Sequence, residues 1–279
     1  MLVEGLIDYL RVTIPRAAMS DVIAILPESF DAEIFDYGRY SYTKRIGASE
    51  TMCIYYGDRE DCSLQLSGQG LSAWREHGTS DIGILRHLRS HDAKCTRLDY
   101  ALDLYSDLAA IGELILANKQ GRLKTRSKAY QVVEAQGYEG AGKTLYLGSP
   151  KSDRRVRVYD KAAQLKLLGE FITRIEITTK GDYAKVGMTA STLDGPDKPM
   201  RAMLRDFVSD WGVEWANDAT AVNGDSEPPR LGRKAGNPDG FALRTVAPFL
   251  RNNWADLSQE AKDAILIAVS RTASRLEKR

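Results

Sequence analysis

Cysteine and histidine are both scarce, with three of each in 279 residues. Cys53, Cys62 and Cys95 are odd in number and lack C-x-x-C spacing, which excludes a disulfide framework or a cysteine zinc site and leaves them as buried thiols. Of His77, His87 and His91, only the last two share a helical face, an i, i+4 pair that reads as surface or capping histidine. No run approaches the roughly 18 to 20 apolar residues of a membrane span, and the opening MLVEGLIDYLRVTIP lacks the basic stretch and cleavage pattern of a signal peptide. A cytoplasmic location away from membranes is therefore the expectation. Net charge is only +1, so bulk basicity does not mark a nucleic-acid binder, and local clusters such as Lys151/Arg154/Arg155/Arg157 must carry any such reading.

What is present is a globular chain, 43% apolar, long enough for one large domain or two small ones. Alternation predicts strands over Gly5–Ile14, Phe35–Ile46, Met52–Gly57, Ser63–Ser67, Cys95–Tyr105, Tyr130–Glu134, Thr144–Gly148, Arg155–Tyr159 and Ile172–Thr178. Helical spacing predicts helices over Ala17–Leu26, Asp81–Ser90, Asp107–Lys119, Lys161–Leu168, Asp182–Thr189 and Met200–Trp211. The order suits an α+β fold: a mainly antiparallel twisted sheet built from βαββαβ-like units, helices on one face, and a helical C-terminal appendage. Residues 1–218 read as the main domain, 219–240, rich in Gly, Pro, Asn and Asp, as a linker or mobile loop, and 241–279 as the appendage.

Three of these strands place ionisable residues on one face and aliphatics on the other. Arg155, Arg157 and Tyr159 oppose Val156 and Val158. Arg174, Glu176 and Thr178 oppose Ile175 and Ile177, and Arg97, Asp99, Ala101 and Asp103 oppose Leu98, Tyr100, Leu102 and Leu104. As neighbours they would form an acidic, arginine-flanked patch around Tyr159. Asp99 and Asp103 lie about 13 Å apart along a strand, too far to share one ion, so a metal would pair one of them, preferably Asp99, with Glu176 across the ladder. Carboxylate donors imply Mg²⁺ or Mn²⁺. The bland alternative for each strand is an ordinary half-exposed sheet meeting water. The G-K-T at 142–144 leads into a strand instead of a helix, which excludes a nucleotide-binding loop.

R-L-D-Y-A-L-D at 97–103, G-K-T-L-Y-L-G-S-P-K-S-D at 142–153, R-V-R-V-Y-D-K at 155–161 and R-I-E-I-T at 174–178 resemble, in order, the core of the Rep_trans replication-initiation family. G-L-I-D-Y-L-R-V-T near the start and S-G-Q-G at 67–70 fit as well, so the likeness spans roughly residues 5–215; Gly68 and Gly70 are otherwise read as turn glycines. The resemblance implies a metal-dependent, site-specific DNA nicking and closing enzyme that starts rolling-circle replication through a 5′-phosphotyrosine and leaves a 3′-OH primer. It implies Tyr159 as nucleophile, Asp99 and Glu176 as holders of the ion with Asp103 as a further candidate, and Arg157, Lys161 and Arg174 at the scissile phosphate. Tyr146, Tyr130, Tyr183 and Tyr100 are rivals to Tyr159, Tyr100 the weakest because parity turns it to the apolar face.

For DNA contact the candidates are Lys151, Arg154, Arg155, Arg201 and Arg205, with Arg230, Arg233, Lys234, Arg244 and Arg251 further on; a solvated basic face is the competing reading. The implied partners are origin DNA, supercoiled or single-stranded, a host helicase and a second copy of the chain as a homodimer. Two other readings stand beside this one: a metal-dependent hydrolytic nuclease using Asp99, Glu176 and Lys180 with water as nucleophile, and a DNA-binding module without catalysis.

Overall fold

The computed structural model describes residues 5–27, 30, 32–39, 42–47, 49–105, 109–134, 142–167, 171–221 and 259. The chain divides into two units, Met1–Arg230 and Leu231–Arg279. The expected linker and appendage fall almost wholly outside the described residues, as do Arg230, Arg233, Lys234, Arg244 and Arg251.

In chain order the first unit runs β1 (Leu6–Pro15), α1 (Met19–Ala24), β2 (Ile34–Arg39), β3 (Tyr42–Ile46), β4 (Met52–Tyr56), β5 (Asp61–Ser67), α2 (Gly68–Glu76), α3 (Asp81–Ser90) and β6 (Lys94–Tyr105). It continues with α4 (Ala109–Lys119), β7 (Lys124–Thr125), β8 (Tyr130–Glu134), β9 (Lys143–Leu147), β10 (Arg154–Asp160), α5 (Lys161–Leu165), β11 (Ile172–Lys180), α6 (Gly181–Asp194), α7 (Asp197–Phe207), β12 (Val208–Asp210) and α8 (Glu214–Ala219). Ten strands form one sheet in the order β2-β3-β4-β5-β1-β6-β11-β10-β9-β8, every neighbouring pair antiparallel. The expected α+β class with an antiparallel sheet stands.

The repeating unit is larger than the short βαββαβ motif expected. A long strand (β1) leads through a helix into a four-strand meander (β2 to β5) whose last member returns beside the first. The second half repeats this: β6 leads through α4 into the meander β8, β9, β10, β11, and β11 returns beside β6. The halves meet where β1 pairs with β6. Register makes the likeness specific. Arg157 faces Glu176 and Tyr159 faces Arg174 in the second half, while Cys53 faces Gln65 and Tyr55 faces Ser63 in the first.

The aliphatic rows form the core. Leu10, Val12, Leu64, Leu66, Leu98, Leu102, Val156, Val158, Ile175 and Ile177 are all solvent-excluded, and they share a cluster with Ile84, Leu88, Leu114, Met188, Met203 and Leu204 from α3, α4, α6 and α7. Helix ends follow ordinary chemistry: Ser80 Oγ caps α3 by accepting from Gly83 N at 3.1 Å, and Gly121 follows α4 with φ +71°. No helix among the described residues is long and apolar enough to cross a membrane.

Several expectations need correction. The predicted strand Phe35–Ile46 is a hairpin, β2 and β3. The helix predicted to Trp211 ends at Phe207, where the chain becomes extended and pairs with β7. Asp107 lies outside the described residues. Gly68 and Gly70 are not turn glycines; they open α2, a helix that the alternation of Ser63–Ser67 gave no reason to expect. Their lack of Cβ permits close packing, since a Cβ on Gly70 would stand 2.4 Å from the carbonyl oxygen of Thr51. The three thiols are buried as expected, and burial pushes Cys62 up to about 11 and Cys95 up to about 12.

Gly70→Ala is expected to destabilise the protein by about 2 kcal/mol, because the obstacle is backbone. Gly112→Ala, in α4 with nothing within 4 Å of its would-be Cβ, is expected to stabilise by about 0.5–1 kcal/mol through helix propensity. Paired denaturant titrations check both.

Candidate active site

Register brings the three ionisable rows together as expected. Tyr159 of β10 stands opposite Arg174 of β11, which stands opposite Asp103 of β6. In the next rows Arg157 faces Glu176, which faces Ala101, and Arg155 faces Thr178, which faces Asp99. Because β10, β11 and β6 are consecutive in the sheet, the face opposite the core carries one contiguous polar patch.

Tyr159 ends that patch at a fixed corner. Its neighbour Asp160 caps α5, accepting from Ala163 N at 2.9 Å, so the chain leaves the strand immediately after the tyrosine and Lys161 becomes the first residue of the helix. The phenol is 5% exposed and donates to Glu176 Oε1 at 2.6 Å. Arg157 donates to Glu176 Oε2 through Nε at 2.9 Å and also through Nη2. Its guanidinium lies 4.5 Å from the Tyr159 ring centre, and Lys161 Nζ lies 5.9 Å from it. Burial, followed by the Glu176 charge, raises the Tyr159 pKa above that of an ordinary phenol. Burial also raises Glu176, although Arg157 opposes the shift, and burial together with the Arg174 charge lowers Lys161.

Arg174 anchors the patch. It donates to Asp103 through Nε and Nη2, each at 2.5 Å, and to Asp8 Oδ1 through Nη1 at 2.7 Å. Asp8 is the site residue that sequence reasoning missed. Strict alternation along β1 groups it with Leu10, Val12 and Ile14 on the core face. A register shift between Ile7 and Tyr9 makes Asp8 the extra residue of a bulge and turns it to the polar face. Gly68 leaves room for it: a Cβ there would stand 2.8 Å from Asp8 Oδ1. The usable signal was a lone carboxylate in an otherwise apolar run.

The other named residues divide clearly. Asp99 is buried, is gripped by Arg97 through bonds of 2.9 and 2.5 Å, and is raised by burial against the pull of Arg97 and Thr178. Arg155 lies on the polar face with its guanidinium 4.0 Å from the Tyr146 ring centre. Arg154 does not face DNA from this patch. It points to the core side, 8% exposed, bound to Asp206 at 2.6 Å and lying over the rings of Tyr183 and Phe207. Arg201 is held by Asp197 at 2.9 Å and by the Ala219 carbonyl, Arg205 is exposed on α7, and Lys151 is exposed in the β9–β10 turn. Among the rival tyrosines, Tyr100 is fully buried against Ser191 at 2.8 Å, Tyr183 stacks on Arg154, and Tyr130 lies on the edge strand β8. Tyr146, opposite Arg157, is the only rival on the polar face beside Tyr159. His87 and His91 stack at the end of α3 and take no part.

Glu176, Asp99 and Asp103 offer hard oxygen donors, which suit Mg²⁺ or Mn²⁺ in chemistry. Each is already engaged by an arginine, and among the described residues no three or more His, Cys, Asp or Glu side chains are grouped so as to hold an ion. An ion would therefore compete with Arg157, Arg97 and Arg174 for oxygens that keep spare lone pairs.

Residues 93–194 match the model of the Rep_trans family, described as replication initiation factor. All four motifs quoted for the resemblance between Arg97 and Thr178 fall inside that segment. Among solved structures the chain is similar to the rolling circle replication initiator protein from Geobacillus stearothermophilus, with a TM-score of 0.67 and 20% identity over 80% of this chain and 99% of that one. At that identity the likeness speaks for the fold. No protein of curated function matches the sequence. The central segment is thus similar in sequence to replication initiation factors, in a fold like that of a rolling-circle initiator.

Replacing Arg174 by Met is expected to destabilise the protein by about 3 kcal/mol, since two partly buried carboxylates lose their counter-charge. Thermal melts of both proteins measure it.

Proposed function

We propose that the protein initiates rolling-circle replication by nicking and rejoining origin DNA, with Tyr159 as nucleophile. The observation that carries this reading is the hydrogen bond from the Tyr159 phenol to a buried carboxylate, at the corner of an arginine-rich sheet face within the segment that matches replication initiation factors. Oη attacks the scissile phosphorus and its proton passes to Glu176 Oε1, already 2.6 Å away. The bond from phosphorus to the 3′-oxygen breaks and that oxygen takes a proton from water, giving a 5′-phosphotyrosine and a free 3′-OH. The ester conserves the phosphodiester energy, so reversal rejoins strands.

Burial serves Glu176 in this role, because a carboxylate above its ordinary pKa is a stronger base. Arg157 keeps Glu176 oriented and lies against the attacking ring, and with Arg174 and Lys161 it supplies positive charge to the pentavalent phosphorus. Glu176 together with Asp99, or with Asp103 in its place, would hold Mg²⁺ or Mn²⁺, which when bound would supply charge neutralisation at the phosphate. Lys151, Arg155, Arg201 and Arg205 are the remaining candidates for phosphate contacts. A homodimer, a host helicase and a cytoplasmic site of action belong to the same proposal, as does the division into a catalytic domain (1–218), a linker (219–240) and a helical appendage (241–279).

Incubation with supercoiled DNA carrying its origin and Mn²⁺, followed by denaturing gels and peptide mass spectrometry, is expected to reveal DNA linked to the Tyr159 peptide. The adduct should vanish in Tyr159→Phe and in chelator and persist in Tyr146→Phe. Nicking without an adduct would instead favour water-mediated hydrolysis.

The pH dependence has a definite sign. Glu176 must be ionised to accept the proton, so the rate is expected to fall as pH is lowered through its titration. Glu176→Gln should lower the rate at least about 100-fold, within the range for loss of a general base, and abolish that fall.

A further inference from the structure

The polar face continues past the candidate active site into the first half of the sheet, where its chemistry changes. Lys180 of β11 stands opposite Arg97 of β6, and Arg97 stands opposite Arg11 of β1. Three cations thus occupy one cross-strand row, an arrangement that costs stability because like charges face each other directly. Asp99 offsets Arg97 alone. Arg11 uses Nε on Ser63 Oγ at 3.1 Å, Lys180 donates to the Pro150 carbonyl at 2.9 Å, and neither forms an ion pair among the described residues.

Aromatic rings accompany the row. Tyr9 lies under Arg97, its ring centre 4.2 Å from the guanidinium carbon. Tyr42 packs towards Tyr55 at 6.5 Å between centroids, and Tyr55 in turn lies 6.0 Å from Arg11. Tyr9, Tyr42, Arg11, Arg97 and Lys180 line one open groove of about 430 Å³, space for a ligand and not for a single water. The repeat of the fold shows how this half differs. At the positions of Glu176 and Arg174 stand Gln65 and Ser63, so Tyr55, the counterpart of Tyr159, has no carboxylate facing it. The first half supplies Arg11 and the rings of Tyr9, Tyr42 and Tyr55 without the acid of the nicking site, and Arg97 and Lys180 complete the row from β6 and β11.

We propose that this groove is a non-cleaving seat for single-stranded DNA, with Lys180, Arg97 and Arg11 on phosphates and Tyr9 and Tyr42 stacking on bases. The nucleic-acid class of the ligand rests on the function proposed above, while unpaired cations beside half-exposed rings favour a single strand, whose bases are free to stack. Lys180 lies six residues beyond Arg174, the partner of Tyr159, or roughly 20 Å along β11. The seat therefore holds DNA that flanks the scissile phosphate instead of the phosphate itself.

The test measures fluorescence anisotropy of a labelled oligothymidylate of about 15 nucleotides with the full chain, in chelator and over a range of salt, so that no cleavage contributes. Arg11→Gln combined with Lys180→Gln is expected to weaken binding at least 10-fold and to flatten the slope of log K against log salt by about 1.4, the value for two phosphate contacts on a single strand. Tyr42→Ala should weaken binding and leave the slope unchanged. The melting temperature of the double variant should hold or rise, since like charges are removed. Unchanged affinity and slope, or a fall in melting temperature that marks the cations as structural, would overturn the proposal; an equal loss on blunt duplex of the same length would overturn its single-strand part. Adduct formation at Tyr159 is scored separately, so loss of the nicking reading and loss of the seat give different results.

Discussion

Arg174 donates to Asp103 on the neighbouring strand and to Asp8 one strand beyond, and so ties β11 through β6 to β1, the three strands where the two halves of the sheet meet. Three charges in partly buried surroundings are expensive to desolvate, and their arrangement is tolerable because each carboxylate receives a directed guanidinium bond. The same arginine is the cross-strand neighbour of Tyr159. Fixing Arg174 therefore fixes the floor beside the phenol, and the bulge that brings Asp8 to this face, together with the bare backbone of Gly68 beside it, becomes part of the site.

The arginine and carboxylate pairs divide the polar face into units of one pattern. Arg97 grips Asp99, Arg157 grips Glu176 and Arg174 grips Asp103, each pair with bidentate or forked geometry. Of these three acids only Glu176 also receives a phenol. The repeated topology gives the two halves different chemistry: in one, Glu176 accepts from the Tyr159 phenol, and in the other Gln65 stands at the position of Glu176.

Much of this was legible along the chain because strand parity is a local property. The faces of Arg155–Tyr159, Ile172–Thr178 and Cys95–Tyr105 follow from alternation alone, and the apolar rows did enter the core. Parity failed where the backbone departs from regular pleating. The bulge at Asp8 moved a carboxylate across the sheet. Arg154 obeys parity, sharing the core side with Val156 and Val158 under Phe207, and only its sequence proximity grouped it with its basic neighbours. The helix from Gly68 was hidden because glycines that permit close packing look the same in sequence as glycines that permit a turn.

The sequence by itself determined which residues share a face and where the strand ending at Tyr159 gives way to a helix at Lys161. Only the tertiary structure decided which strands are neighbours and in what register, since pairing depends on contacts between segments far apart in the chain. That register put Tyr159 on Glu176, suspended Arg174 between Asp103 and Asp8, and lined up Lys180, Arg97 and Arg11. Hydrogen bonds between strands set these alignments to within one residue, and a slip of one residue would turn every such side chain to the other face.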